Sequence, residues 1–120
     1  MIMLNYTISK STEPPYYMIF KFQPELEFLT AYLFLVGDRR CYEWIKEGIH
    51  SVMNQDTESI ERDVEWYGAL IQRETTFIYP TLEEDSSKGD TVSTEDFDRI
   101  LTAYFQEKEK YDMLMKIKNE

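Results

Sequence analysis

The chain has one cysteine, one histidine and four glycines in 120 residues, and each shortage removes a class of chemistry. With Cys41 alone, no intramolecular disulfide can form and no thiolate cluster is available for zinc, so a reducing compartment fits best. His50 alone excludes two-histidine zinc sites and the paired-histidine metalloprotease motif. Its helical neighbours Lys46, Glu47, Met53 and Asn54 offer no second ligand, and Cys41 lies more than two helical turns away, so His50 reads as a structural or surface residue. The few glycines leave no dinucleotide fingerprint, and Lys88-Gly89 has neither the preceding glycine nor the following Ser or Thr of a phosphate-binding loop.

Long apolar runs are missing too. The longest, around Phe28 to Val36, is under half of the roughly 20 residues a spanning helix needs. Met1 to Tyr6 has no basic segment followed by an apolar stretch, so it does not read as a secretory signal, and a cytoplasmic location is expected.

What the chain does have is acid, unevenly placed. The net charge is −10, and residues 55–100 hold thirteen acidic residues against four basic ones. Residues 1–54 hold six against five, and residues 101–120 four against four. Regional charge concerns partners more than fold. It opposes direct contact with nucleic acid or an anionic membrane and favours a basic partner. At 42% hydrophobic and 15% aromatic, the chain is too apolar for a disordered acidic tail, and its length suits one domain.

Periodicity predicts an α+β domain: about four mainly antiparallel strands packed with three helices, the last one long. Leu4, Tyr6 and Ile8 alternate with polar residues, residues 10–15 supply a turn, and residues 16–22 give a second strand antiparallel to the first. Pro24 suits a first helical turn and Gly37 a position just past a helix end; the segment between is apolar around nearly its whole circumference. A central core helix is favoured there, with a strand or a homodimer interface as alternatives. Asp38 can cap a helix carrying Cys41, Tyr42, Ile45, Ile49, Val52 and Met53 on one face. Residues 54–63 read as a loop or a frayed turn. Residues 66–73 and 75–79 read as a tight hairpin with Thr75, Phe77 and Tyr79 on one face, and the acidic loop 83–90 ends the sheet. Ser93 or Thr94 caps the final helix, whose buried stripe runs through Phe97, Ile100, Leu101, Tyr104, Phe105, Tyr111, Leu114 and Met115.

No catalytic or cofactor motif accompanies the acid. Asp85-x-Ser87-x-Gly89 fails as a calcium loop, because the sixth and twelfth places hold Asp90 and Asp96 rather than Gly and Glu. No metal and no cofactor is expected. The candidate partner-binding residues are Asp56, Glu58, Glu61, Asp63 and Glu65, then Glu83, Glu84, Asp85 and Asp90, with Trp66 and Tyr67 as aromatic anchors in the hairpin the two clusters flank.

The hairpin Gly68-Ala69-Leu70-Ile71-Gln72 to Thr75-Thr76-Phe77-Ile78-Tyr79, the acidic loop, and the segment from Val92 to Leu101 with its Ser-Thr-x-x-Phe-x-x-Ile-Leu pattern resemble small immunity proteins of bacterial contact-dependent inhibition and related polymorphic toxin systems. The resemblance covers roughly the C-terminal half and transfers no site residue. It implies a non-enzymatic inhibitor that binds a cognate toxin domain, commonly a nuclease, which must be basic to hold phosphates. An acidic adaptor or nucleic-acid mimic acting on another basic protein is the rival expectation, and a carboxylate enzyme using a divalent metal is the third.

Overall fold

The computed structural model describes residues 4–85 and 87–118. Strand β1 (Asn5–Ser11) pairs antiparallel with β2 (Tyr17–Gln23) in a separate two-stranded sheet, with Ile8 opposite Phe20. Alternation along β2 sends Met18, Phe20 and Phe22 into the core, and Tyr6 stacks on Phe20 at 4.3 Å between centroids.

Helix α1 (Glu27–Phe34) lies between this hairpin and the main sheet, with Leu29, Tyr32 and Leu33 buried, so the core-helix expectation holds. Its start differs from expectation. Pro24 precedes the helix instead of opening it, and Leu26 at the cap position has no side-chain acceptor for the first amides. The orphan amides of Phe28 and Leu29 instead donate to Asp90 Oδ2, at 2.8 and 3.1 Å, and that remote carboxylate sets where the helix begins.

Helix α2 (Arg39–Met53) starts as predicted, Asp38 Oδ1 accepting the Cys41 amide at 2.8 Å. It ends in a Schellman turn: the Asp56 amide donates to the Ser51 carbonyl and the Gln55 amide to Val52, with Gln55 left-handed at φ 64°. Tyr42 stacks on Phe105 at 4.5 Å, and Lys46 reaches Asp98 and Thr102 on the last helix.

The main sheet has the order β3-β4-β5-β6, every neighbour antiparallel: β3 (Ser59–Val64), β4 (Tyr67–Gln72), β5 (Thr75–Pro80) and β6 (Asp90–Ser93). Two of these strands correct the sequence reading. Residues 59–64 are not a loop, because Ile60, Arg62 and Val64 alternate toward the helices while Ser59, Glu61 and Asp63 face outward on the solvent side of the sheet. The acidic loop does not end the sheet either; it returns the chain into β6, whose buried Val92 pairs with Thr76.

Ser93 Oγ then accepts the Asp96 amide and caps helix α3 (Thr94–Lys118) as expected. The Thr94 hydroxyl is fully buried, 2.9 Å from the Thr76 hydroxyl and bonded to the Gln72 carbonyl, which locks the helix onto the β4–β5 turn. Tyr104 packs edge-on against Phe20, and the Tyr111 hydroxyl donates to the Ser11 carbonyl, so the far half of α3 holds the hairpin. Leu114 is 49% exposed rather than part of the buried stripe; Tyr111 and Met115, four residues apart, take the inward positions in these last turns. The described residues therefore form an α+β domain as predicted, with three helices, the C-terminal one long, and with six strands in two antiparallel sheets where about four were expected.

A candidate acidic interface on the open sheet face

All three helices pack on one face of the main sheet, leaving the other open. Register assembles that open face in rows. Glu61 on β3, Leu70 on β4, Phe77 on β5 and Thr91 on β6 form one; Asp63, Gly68 and Tyr79 form the next. Gly68 is required at the centre of the second row. A Cβ there would stand 2.5 Å from Asp63 Oδ1 and 2.6 Å from Tyr79 Cζ, so only glycine lets the carboxylate and the phenol close over the strand. The Tyr79 hydroxyl donates to Glu61 Oε2 at 2.8 Å, and its ring stacks with Phe77 at 5.8 Å.

The acidic loop folds back onto this face. Gly89 makes the approach possible, since a Cβ there would lie 2.3 Å from the Ile78 carbonyl oxygen and 2.6 Å from the Phe77 ring. The result is an open groove of about 390 Å³ with Leu70, Phe77 and Pro80 among its apolar walls and Glu61, Glu83 and Asp85 as its charged ones. Among the described residues no lysine or arginine lines it.

The charges are only partly compensated. Lys88 lies 3.4 Å from Glu83, and the Ser87 hydroxyl and amide both donate to Asp85 Oδ1, holding its carboxyl below the usual carboxylate range. Among the described residues neither Glu61 nor Asp63 has an ion-pair partner. Partial desolvation, and then the neighbouring Glu61, push the Asp63 carboxyl up. Burial, the bond to Glu61 and the nearby acids raise the Tyr79 phenol, so it stays a neutral donor. A face of carboxylates over an aromatic floor attracts cations and offers their aliphatic stems an apolar bed.

The predicted residues divide four ways. Glu61, Glu83 and Asp85 converge on the groove although they come from two sequence clusters, and Asp63 stands in the neighbouring row of the same face. Glu65, at φ 49°, and Trp66, 61% exposed, form the β3–β4 turn at the same end; the Trp66 carbonyl accepts the amide of Thr81, itself a groove wall. Glu84 is exposed on the loop beside them. Asp56 and Glu58 are exposed at the opposite end of β3, with Glu58 roughly 16 Å from Asp63 along the strand. Tyr67 and Asp90 lie on the helix side: Tyr67 meets Phe28 edge-on at 6.4 Å, and Asp90 holds the start of α1. Sequence reasoning did not single out Phe77, Tyr79 and Leu70 as groove residues. Their signal was the alternation in β5, which had already placed Phe77 and Tyr79 on one face.

Among the described residues no group of three or more His, Cys, Asp or Glu side chains is arranged to hold a metal ion, and no helix is long and apolar enough to cross a membrane. Compared with family models, with curated proteins and with solved structures, the chain matches none.

Proposed function

We propose that this protein is an inhibitor of the immunity type, acting in the cytoplasm by binding a basic toxin domain, of nuclease character, through the open face of its main sheet. The observation that carries this reading is the groove in which Glu61, Glu83 and Asp85 stand over Leu70 and Phe77 with no basic residue among the described residues of its walls. Clustered like charges speed encounter with a cationic partner, and the aromatic floor supplies the contacts that slow its release. Arginine suits the groove better than lysine, since a planar guanidinium can stack on Phe77 or Tyr79 while pairing with a carboxylate. A nuclease blocked in this way would present to the inhibitor the basic surface it uses for phosphates.

The test uses two baits in parallel, the native protein and a variant carrying Glu61→Gln, Asp63→Asn, Glu83→Gln and Asp85→Asn, in cells that make the protein. One basic protein retained in equimolar amount by the native bait and lost from the variant supports the reading. The same protein held equally by both baits, or an acidic protein held by either, refutes it.

A further inference from the structure

A second groove lies between β2 and α1, and it has a different character. A depression of about 630 Å³ is lined by Ile19 and Phe22 from the hairpin and by Thr30, Ala31 and Phe34 from α1. Phe34 is 50% exposed at the end of the outward stripe of α1, which runs through Glu27, Thr30 and Ala31 opposite the buried Leu29, Tyr32 and Leu33, and it also lines an adjoining depression of about 310 Å³ that runs onto α3. The face thus carries a projecting aromatic ring and, one helical turn earlier on the same helix, the small residues Thr30 and Ala31 beside an apolar hollow.

A projection and a hollow side by side on one surface are the requirement for an isologous contact, in which a two-fold axis places each ring in the other copy's hollow. Charge selects the same occupant. Lys21, Glu25 and Glu27 form the rim, so a copy turned by the two-fold can set lysine against glutamate on both sides. The depression is built wholly from residues 1–54, where six acids meet five bases, whereas two copies approaching through the region of residues 55–100 would oppose nine net negative charges each. We infer that this groove is a homodimer interface centred on Phe34, on a face of the molecule separate from the acidic sheet face and independent of what that face binds.

Sedimentation of the purified full chain from about 1 to about 100 µM should show a monomer–dimer equilibrium within that range. Phe34→Asp should weaken dimerisation at least about tenfold, with the thermal transition little changed, because the ring is half exposed. Lys21→Glu should weaken it as well, and combining it with Glu25→Lys and Glu27→Lys should restore it; this reciprocal swap decides the matter even if the Phe34 variant folds poorly. A monomer at every concentration, or a dimer indifferent to Phe34→Asp and to the charge swap, overturns the inference.

Discussion

The two grooves on this small domain are built by opposite rules. On the sheet face the described charged walls are all acidic, the floor is aromatic, and the defining residues come from strands whose other side is already committed to the core and from the acidic loop folded over them. Beside α1 the rim carries both signs and the hollow is apolar, framed by the outward stripe of a helix whose other side is core. A surface with one sign of charge is complementary only to something else; a surface with both signs and its own projecting ring can be complementary to itself. The difference teaches that net charge, averaged over the chain, says little about association until the charges are placed on faces.

Neutralising Glu61, Asp63, Glu83 and Asp85 together should have the largest effect, slowing association with the proposed basic partner about 10- to 100-fold at low salt and flattening its salt dependence, as followed by stopped-flow mixing. The monomer–dimer equilibrium should not change; if it does, the two grooves are not separate. Next in size is Asp90→Ala, which removes the acceptor for the Phe28 and Leu29 amides. Denaturant unfolding should show a loss of about 1–2 kcal/mol, with the affinity of the folded protein for its partner retained, since this carboxylate belongs to the fold. Gly68→Ala should cost about 1 kcal/mol and spoil partner binding together, because the added Cβ displaces both Asp63 and the Tyr79 ring that bonds Glu61.

The smallest effect is expected from Asp63→Asn. The Asp63 carboxyl is raised by partial desolvation and by Glu61, so in the window between its ordinary and its raised value the folded chain holds a proton that the unfolded chain has lost. Stability therefore falls as pH rises through that window. The Asn variant should melt slightly higher at neutral pH, with the difference closing as pH drops below the ordinary aspartate range. A thermal-melt series across pH checks this, and a difference that widens in acid contradicts it.

Legibility in the sequence followed burial. The β1–β2 hairpin, the α2 stripe, the β4–β5 hairpin and α3 were readable because one face of each is apolar at the right period. β3 was not, since Glu61 and Asp63 on its open side and Arg62 on its inner side hide an alternation that only Ile60 and Val64 express. β6 is four residues long and follows a loop rich in turn formers, which leaves local pattern nothing to detect. Of the site, the convergence of residues 61–63 with 83–85 was foreseen only as two clusters flanking a hairpin. Nothing local could separate Asp90 and Tyr67 from their acidic and aromatic neighbours, because their roles are set by α1, some sixty residues away in Asp90's case.

That separation between Asp90 and α1 bears on the order of folding. α1 spans eight residues, shorter than the roughly 12–15 an isolated helix needs in water, and it has no side-chain cap of its own. Its first amides are satisfied by a carboxylate that the ribosome delivers 62 residues after Phe28. The helix is therefore expected to settle only once β6 has joined the sheet, which would make the earliest helical segment of the chain among the last to become native. Asp90→Ala should accordingly hasten unfolding far more than it slows refolding, a division of the rates that a chevron plot displays.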